Sequence, residues 1–144
     1  MNTAEGKLLR RISDTEFYMY LHFKAPFGLP DRDMALHVVL TPYAASRGEL
    51  TIRFTGVPDF IPAKPKIIRM AAWEVVTRLR PLGDGRSAEV TEGYVEPGGT
   101  TIPAWLVNYF QRQMPYANTL ARGRDMSRYA KPDERCPYRI RDRE

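Results

Sequence analysis

The chain has 144 residues, enough for one domain with one hydrophobic core and too few for two. Hydrophobic residues make up 43% and aromatic residues 11%, with 12 prolines and 10 glycines, a composition that excludes a disordered chain and implies many turns. The single cysteine, Cys136, excludes an internal disulfide framework and a cysteine-built zinc site, and the formal charge of +5 permits attraction to phosphate in nucleic acid or on an anionic membrane.

The first residues, MNTAEGKLLRRISD, lack the apolar core of a signal peptide, and no run approaches the ~20 apolar residues of a membrane span. The expectation is a soluble, cytoplasmic protein in a reducing compartment. From Glu16 to Lys24 the side chains alternate, Phe17, Met19, Leu21 and Phe23 on a drier face and Tyr18, Tyr20, His22 and Lys24 on the other, which predicts a strand. Residues 25–33, APFGLPDRD, read as a connection. A second strand follows, with Met34, Leu36, Val38 and Leu40 in one row and Ala35, His37 and Val39 in the other. After a loop over 42–48, Leu50, Ile52 and Phe54 alternate with Thr51, Arg53 and Thr55 in a short amphipathic strand.

Three prolines in residues 56–66 deny a central strand its donors, so this stretch is expected to be an irregular excursion at the surface or sheet edge. Residues 67–79 read as one strand, with Trp73, Val75 and Thr77 opposing Glu74, Val76 and Arg78. The turn Gly83-Asp84-Gly85 then hands over to a hairpin partner at 87–95. Consecutive strands and a final helix make an α+β antiparallel meander. In that helix, Ile102, Trp105, Leu106, Tyr109, Phe110, Gln113, Ala117 and Leu120 fall on one face at helical spacing. Thr101 is placed to cap it, Pro103 suits its first turn, Gly98 and Gly99 precede it, and Pro115 is expected to kink it. Past Gly123 the chain reads as a frayed basic tail.

Three motifs resemble the START family, the steroidogenic-acute-regulatory-related lipid-transfer domains. APFGLPDRD ends in the family's Arg-Asp, Ile67-Ile68-Arg69 is similar to its Val-Arg strand start, and EPGGTTIPAWLVN with Met114-Pro115 after it is similar to its Pro-Gly-Gly, Ile-Pro, Trp-Leu, Asn signature, with one added threonine. The wording is nearest to the phosphatidylcholine-transfer branch. The resemblance implies a helix-grip fold of the START/Bet v1 kind, in which a curved antiparallel sheet wraps the C-terminal helix and holds a lipid against it. It also implies that the family's N-terminal third is not represented. Residues 1–130 are then a partial lipid-binding domain and 131–144 a basic tail.

The lipid-binding residues expected on this reading are Phe17, Met19, Leu21, Phe23, Met34, Leu36, Val38, Leu40, Trp105, Tyr109 and Phe110. Arg32, Asp33, Gly98, Gly99, Pro103 and Asn108 are expected to be structural. Sterol-binding relatives carry an acid and an arginine at positions that fall on Met19 and Val38, and two apolar residues there suit acyl chains instead. Arg32-Asp33 reads as an ion pair fastening the turn, since no nucleophile or metal cluster accompanies it. His22 and His37 share the face opposite the apolar rows, and two histidines without a third ligand make no zinc site. The arginines from Arg122 to Arg143 form a solvated end whose functional reading is contact with anionic headgroups. Aromatic platforms interleaved with lysine are absent, which argues against nucleic acid.

The function expected is therefore a non-catalytic lipid-binding or lipid-transfer module without cofactor or metal, in transient contact with a membrane surface. Two alternatives stand beside it. One is a polyketide cyclase or aromatase of helix-grip form, which requires polar groups among the inner rows. The other is a domain fragment without a ligand of its own that closes its open side as a homodimer.

Overall fold

The longest strand organises the architecture. In this computed structural model, which describes residues 2–25, 28–96, 98 and 104–126, β3 (Asp31–Ala44) pairs with three other strands. The remaining strands are β1 (Asn2–Arg11), β2 (Glu16–Lys24), β4 (Glu49–Gly56), β5 (Ile67–Arg69), β6 (Ala72–Gly83) and β7 (Arg86–Glu96). They form one seven-stranded sheet in the order β1-β2-β3-β4-β6-β7, with β5 beside β3. Every pairing is antiparallel except β3 with β5.

The chain forms two compact units, one spanning Met1–Gly98, which holds the sheet, and one spanning Gly99–Pro137. The second contains the helix α1 (Ala104–Asp125).

The predicted strand Glu16–Lys24 is observed with those bounds, and the second and third predicted strands are present but longer. Two readings need correction, and one stretch that the sequence reading left unassigned is a strand. Residues 31–33 belong to β3 and not to a connection, because their open side, beyond the end of β4, is filled by β5. Residues 67–79 are not one strand: β5 runs parallel to β3, and after Met70 and Ala71 the chain passes into β6, which pairs antiparallel with β4. The meander is thus interrupted by a short parallel element. Finally, the N-terminal stretch is a strand, β1, whose mostly exposed residues give little hydrophobic periodicity to read.

The β6–β7 hairpin turns at Asp84 and Gly85, both at positive φ (54° and 68°), as a two-residue connection between twisted strands requires. The excursion after β4 includes a 3-10 turn at Pro58–Phe60, and Val57 N–H donates to Ala35 C=O at 2.9 Å. α1 continues helically past Pro115 and past Gly123, so the first residues of the expected tail are helical. Residues 99–103, with the expected cap Thr101, Gly99 and Pro103, lie outside the described residues, as do residues 127–144. Along α1, Val107 is half-buried and Asn108 and Tyr116 are exposed. Leu120, placed on the apolar face by its spacing, is 46% exposed; the stripe runs out there, the next positions in the series being Gly123 and Arg124.

Candidate functional site

Register carries the alternation of each strand across the sheet. Phe17 lies opposite Val38, Met19 opposite Leu36 and Leu21 opposite Met34, while on the other side Val38 faces Phe54 and Leu40 faces Ile52. One face of the sheet is therefore apolar over successive strands. Its centre is a cluster of Met34, Leu36, Val38 and Met70, each 3% exposed or less, with Phe17, Met19, Leu21, Phe23, Ile52, Phe54 and Trp73 packed against it and only partly buried. Of the eight expected sheet residues, seven belong to this cluster. Leu40 shares the face but is half-buried outside it. Met19 and Val38 both belong to it, so the two positions singled out for their apolar character lie on the same surface.

Ile52 and Phe54 were readable by the same alternation and belong with the rows named above. Trp73 follows from the parity of β6. Met70 lies between β5 and β6, where no periodicity exists to reveal it. Further along β6, Thr77 is buried on this face, and its hydroxyl is satisfied by that of Thr91 at 2.9 Å. Arg32, at the edge of the apolar rows and 4% exposed, donates from its guanidinium to Pro30 C=O, and its burial lowers its pKa. The side chains of Trp105, Tyr109 and Phe110 lie outside the described residues.

The opposite face holds a polar cluster that the sequence reading divided wrongly. Asp33 is fully buried and does not pair with Arg32, because adjacent strand residues point to opposite faces. Its partner is Arg69, directly across the parallel β3–β5 pairing, with Nε to Oδ1 at 2.7 Å and a second nitrogen to Oδ2 at 3.2 Å. Tyr20 completes the group by donating its hydroxyl to Asp33 Oδ2 at 3.1 Å. Arg69 also donates to the carbonyls of Pro58, Ile61 and Pro62, so the excursion after β4 is fastened over this face by one guanidinium. That covering explains why Tyr20, expected on the wetter face, is only 2% exposed.

Around this cluster the electrostatics follow from contact. Burial pushes the Tyr20 phenol above its ordinary pKa, against the lowering effect of Lys64, whose ammonium lies 4.1 Å from the ring centroid. Lys64 is raised in turn by Tyr20, and Arg69 is raised by Asp33. The ring of Tyr18 stacks on both His37, at 4.7 Å between centroids, and Phe60, at 4.1 Å. His22 and His37 do lie on this face, each bonded to a carboxylate: His22 to Asp31 at 2.9 Å and His37 to Glu16 at 2.8 Å. The Ala25 N–H, and after it His22, hold Asp31 below the usual carboxylate range. Among the described residues no group of three or more His, Cys, Asp or Glu side chains is placed to hold a metal, and no helix is long and apolar enough to cross a membrane.

Gly98 lies against β5 at φ 69°, where a side chain is strained, and a Cβ there would come within 3.0 Å of both Arg69 C=O and Ile68 Cγ2. The residues that carried the three sequence motifs thus meet at one place: Asp33 from the first, Ile68 and Arg69 from the second, Gly98 from the third.

Comparison with family models and with curated proteins gives no match. Comparison with solved structures gives a consistent fold. The chain is similar to the STAR-related lipid transfer protein from Xanthomonas axonopodis at TM-score 0.66 and 31% identity, covering 79% of this chain and 62% of that one. It is similar to human STARD10 at TM-score 0.67 and 23% identity, with 82% and 47% covered, and to human StAR-related lipid transfer protein 5 at 0.64 and 18%, with 78% and 54% covered. The chain therefore spans less than two thirds of the length of each, and shares with them the antiparallel sheet and helix of the helix-grip fold.

Proposed function

We propose that this chain is a START-type lipid-binding or lipid-transfer module, and that it holds acyl chains against the apolar face of its sheet. The observation that carries the reading is the composition of that face. Four fully buried apolar residues are flanked by seven large ones that remain partly accessible, and Met19 and Val38 are among them. Burying acyl chains there gains about 0.8 kcal/mol per methylene, so affinity requires no particular polar contact. Likeness to the Xanthomonas protein, named for lipid transfer, supports the same class of ligand.

The finer parts of the proposal come from the sequence, in its composition and charge as well as its resemblance to the family. A phosphatidylcholine-type ligand, lipid contacts from Trp105, Tyr109 and Phe110, transient contact with a membrane surface, a cytoplasmic setting and the absence of catalysis all belong to it. So does the correspondence of this chain to the later part of the relatives' domain.

The test is transfer of a fluorescent phosphatidylcholine from donor to acceptor vesicles, with wild-type chain and with Met19→Asp. A carboxylate on the apolar face has to be desolvated by the acyl chain, which costs several kcal/mol. Transfer by the wild type and a loss of at least about tenfold in a variant with an unchanged melting profile support the proposal. Equal transfer by a folded Met19→Asp, or none by the wild type, overturns it.

A further inference from the structure

One spot on the apolar face of the sheet is polar and has a direction. Thr77, 5% exposed, sits on β6 with Ile52 opposite it on β4 and Thr91 opposite it on β7. Val75 and Leu79 flank it on the same side of its own strand. The two threonine hydroxyls lie 2.9 Å apart, and that of Thr91 donates to Glu89 Oε1 at 3.1 Å. A threonine hydroxyl has one proton and two acceptor lone pairs. Because the Thr91 proton is committed to the carboxylate, the Thr77 proton points to Thr91, and Thr77 Oγ1 offers a partner on the face only its acceptor side. Packing does not call for this line. Valine at both positions would keep the shape and remove both hydroxyls from an apolar face at little cost.

Resting on the reading of this face as a lipid surface, we propose that Thr77 is a subsite for a free hydroxyl of an acyl lipid. The ligand's O–H donates to Thr77 Oγ1 and extends the line through Thr91 to Glu89. Ile52, Val75 and Leu79 around it are each partly accessible, so an acyl chain lying across them brings its polar end to this oxygen. The direction of the line selects the chemistry: an ether or ester oxygen in the same place meets a lone pair and finds no proton. Burial selects further, because an ammonium at so enclosed a position gives up hydration that one neutral oxygen does not replace. Donation by Thr77 into a chain that ends on a carboxylate also polarises its oxygen and makes it a stronger acceptor.

Displacement of fluorescent phosphatidylcholine from the full chain by matched pairs of lipids tests this. One pair is dioleoylglycerol and its methyl ether, the other lysophosphatidylcholine and its methyl ether, so that each pair differs only in the hydroxyl and the two pairs place it differently. The wild type binds the hydroxyl member of at least one pair about fivefold more tightly than the ether, and the responding pair identifies which hydroxyl is read. In Thr77→Val the hydroxyl member falls to within about twofold of its ether. In Thr91→Val the Thr77 proton is released to meet an ether oxygen, so the preference narrows because the ether gains. Melting profiles confirm that both variants fold. Equal binding within both pairs overturns the subsite and leaves the lipid surface standing, and so does a preference that neither substitution moves. A wild-type chain that takes up none of these lipids overturns the lipid surface and the subsite with it.

Discussion

Replacing Asp33 with alanine removes a fully buried carboxylate and leaves two groups without their acceptor. Arg69 keeps its carbonyl contacts but loses both carboxylate bonds while its side chain stays 12% exposed. The Tyr20 hydroxyl loses its hydrogen bond as well. Breaking a buried ion pair from one side costs about 3–5 kcal/mol, because the surviving charge is neither paired nor solvated. In urea, with a slope of about 1–3 kcal/mol per molar for a protein of this size, the midpoint falls by roughly 2 M. Asp33→Ala/Arg69→Met removes both charges together, and its loss is smaller than the sum of the single losses by at least about 2 kcal/mol. Tyr20→Phe costs only about 1 kcal/mol, since Asp33 retains Arg69. Urea unfolding of the four variants, followed by tryptophan fluorescence and far-ultraviolet circular dichroism, measures these losses. An Asp33→Ala variant destabilised by less than about 1 kcal/mol, or a double variant whose loss is additive, refutes the reasoning.

The remaining predictions concern close packing and pH. Gly93→Ala places a Cβ 2.3 Å from Glu74 C=O and 2.8 Å from Val75 Cα, backbone that cannot give way without opening β7 from β6, so thermal unfolding should show a loss of about 2–3 kcal/mol. The Tyr20 phenol, whose ordinary pKa is 10.0, is raised by burial in the fold, so the native state favours its neutral form. Its contribution is complete below pH 10 and is lost as the pH rises from there through the folded pKa, and Tyr20→Phe should flatten that alkaline limb of a stability–pH profile. Asp31 is depressed, so its contribution is present above its ordinary value of 3.8 and is lost as the pH falls through the folded value. Asp31→Asn should weaken the acid dependence in the same measurement.

Alternation was the legible part of this sequence. Phe17 to Phe23 and Met34 to Leu40 name the apolar face because period-2 patterning is local and the register then sets the two rows side by side. What local patterning does not contain is which strands become neighbours. The run from Ile67 onward keeps strand-forming side chains throughout, yet it divides at Met70 and Ala71 because β4 ends opposite Leu36 and leaves the start of β3 without a partner. Arg32-Asp33 looked like a pair because the two are adjacent in sequence, and the pleat separates them. The partner of Asp33 lies 36 residues away, visible only once β5 is seen to run beside β3. The motifs that resembled a known family were read from their wording. The cluster at β5 gives a physical reason for parts of them: a buried carboxylate that needs Arg69, and a tight backbone approach that needs Gly98.

The central claim is that the apolar face of the sheet is a lipid surface. Native mass spectrometry of the chain purified without detergent, followed by extraction and identification of the released lipids, tests it most directly. The account predicts a near-stoichiometric lipid carrying acyl chains, displaced by added phosphatidylcholine and lost from Met19→Asp. A folded chain that carries no lipid and takes up none from phosphatidylcholine vesicles would contradict it.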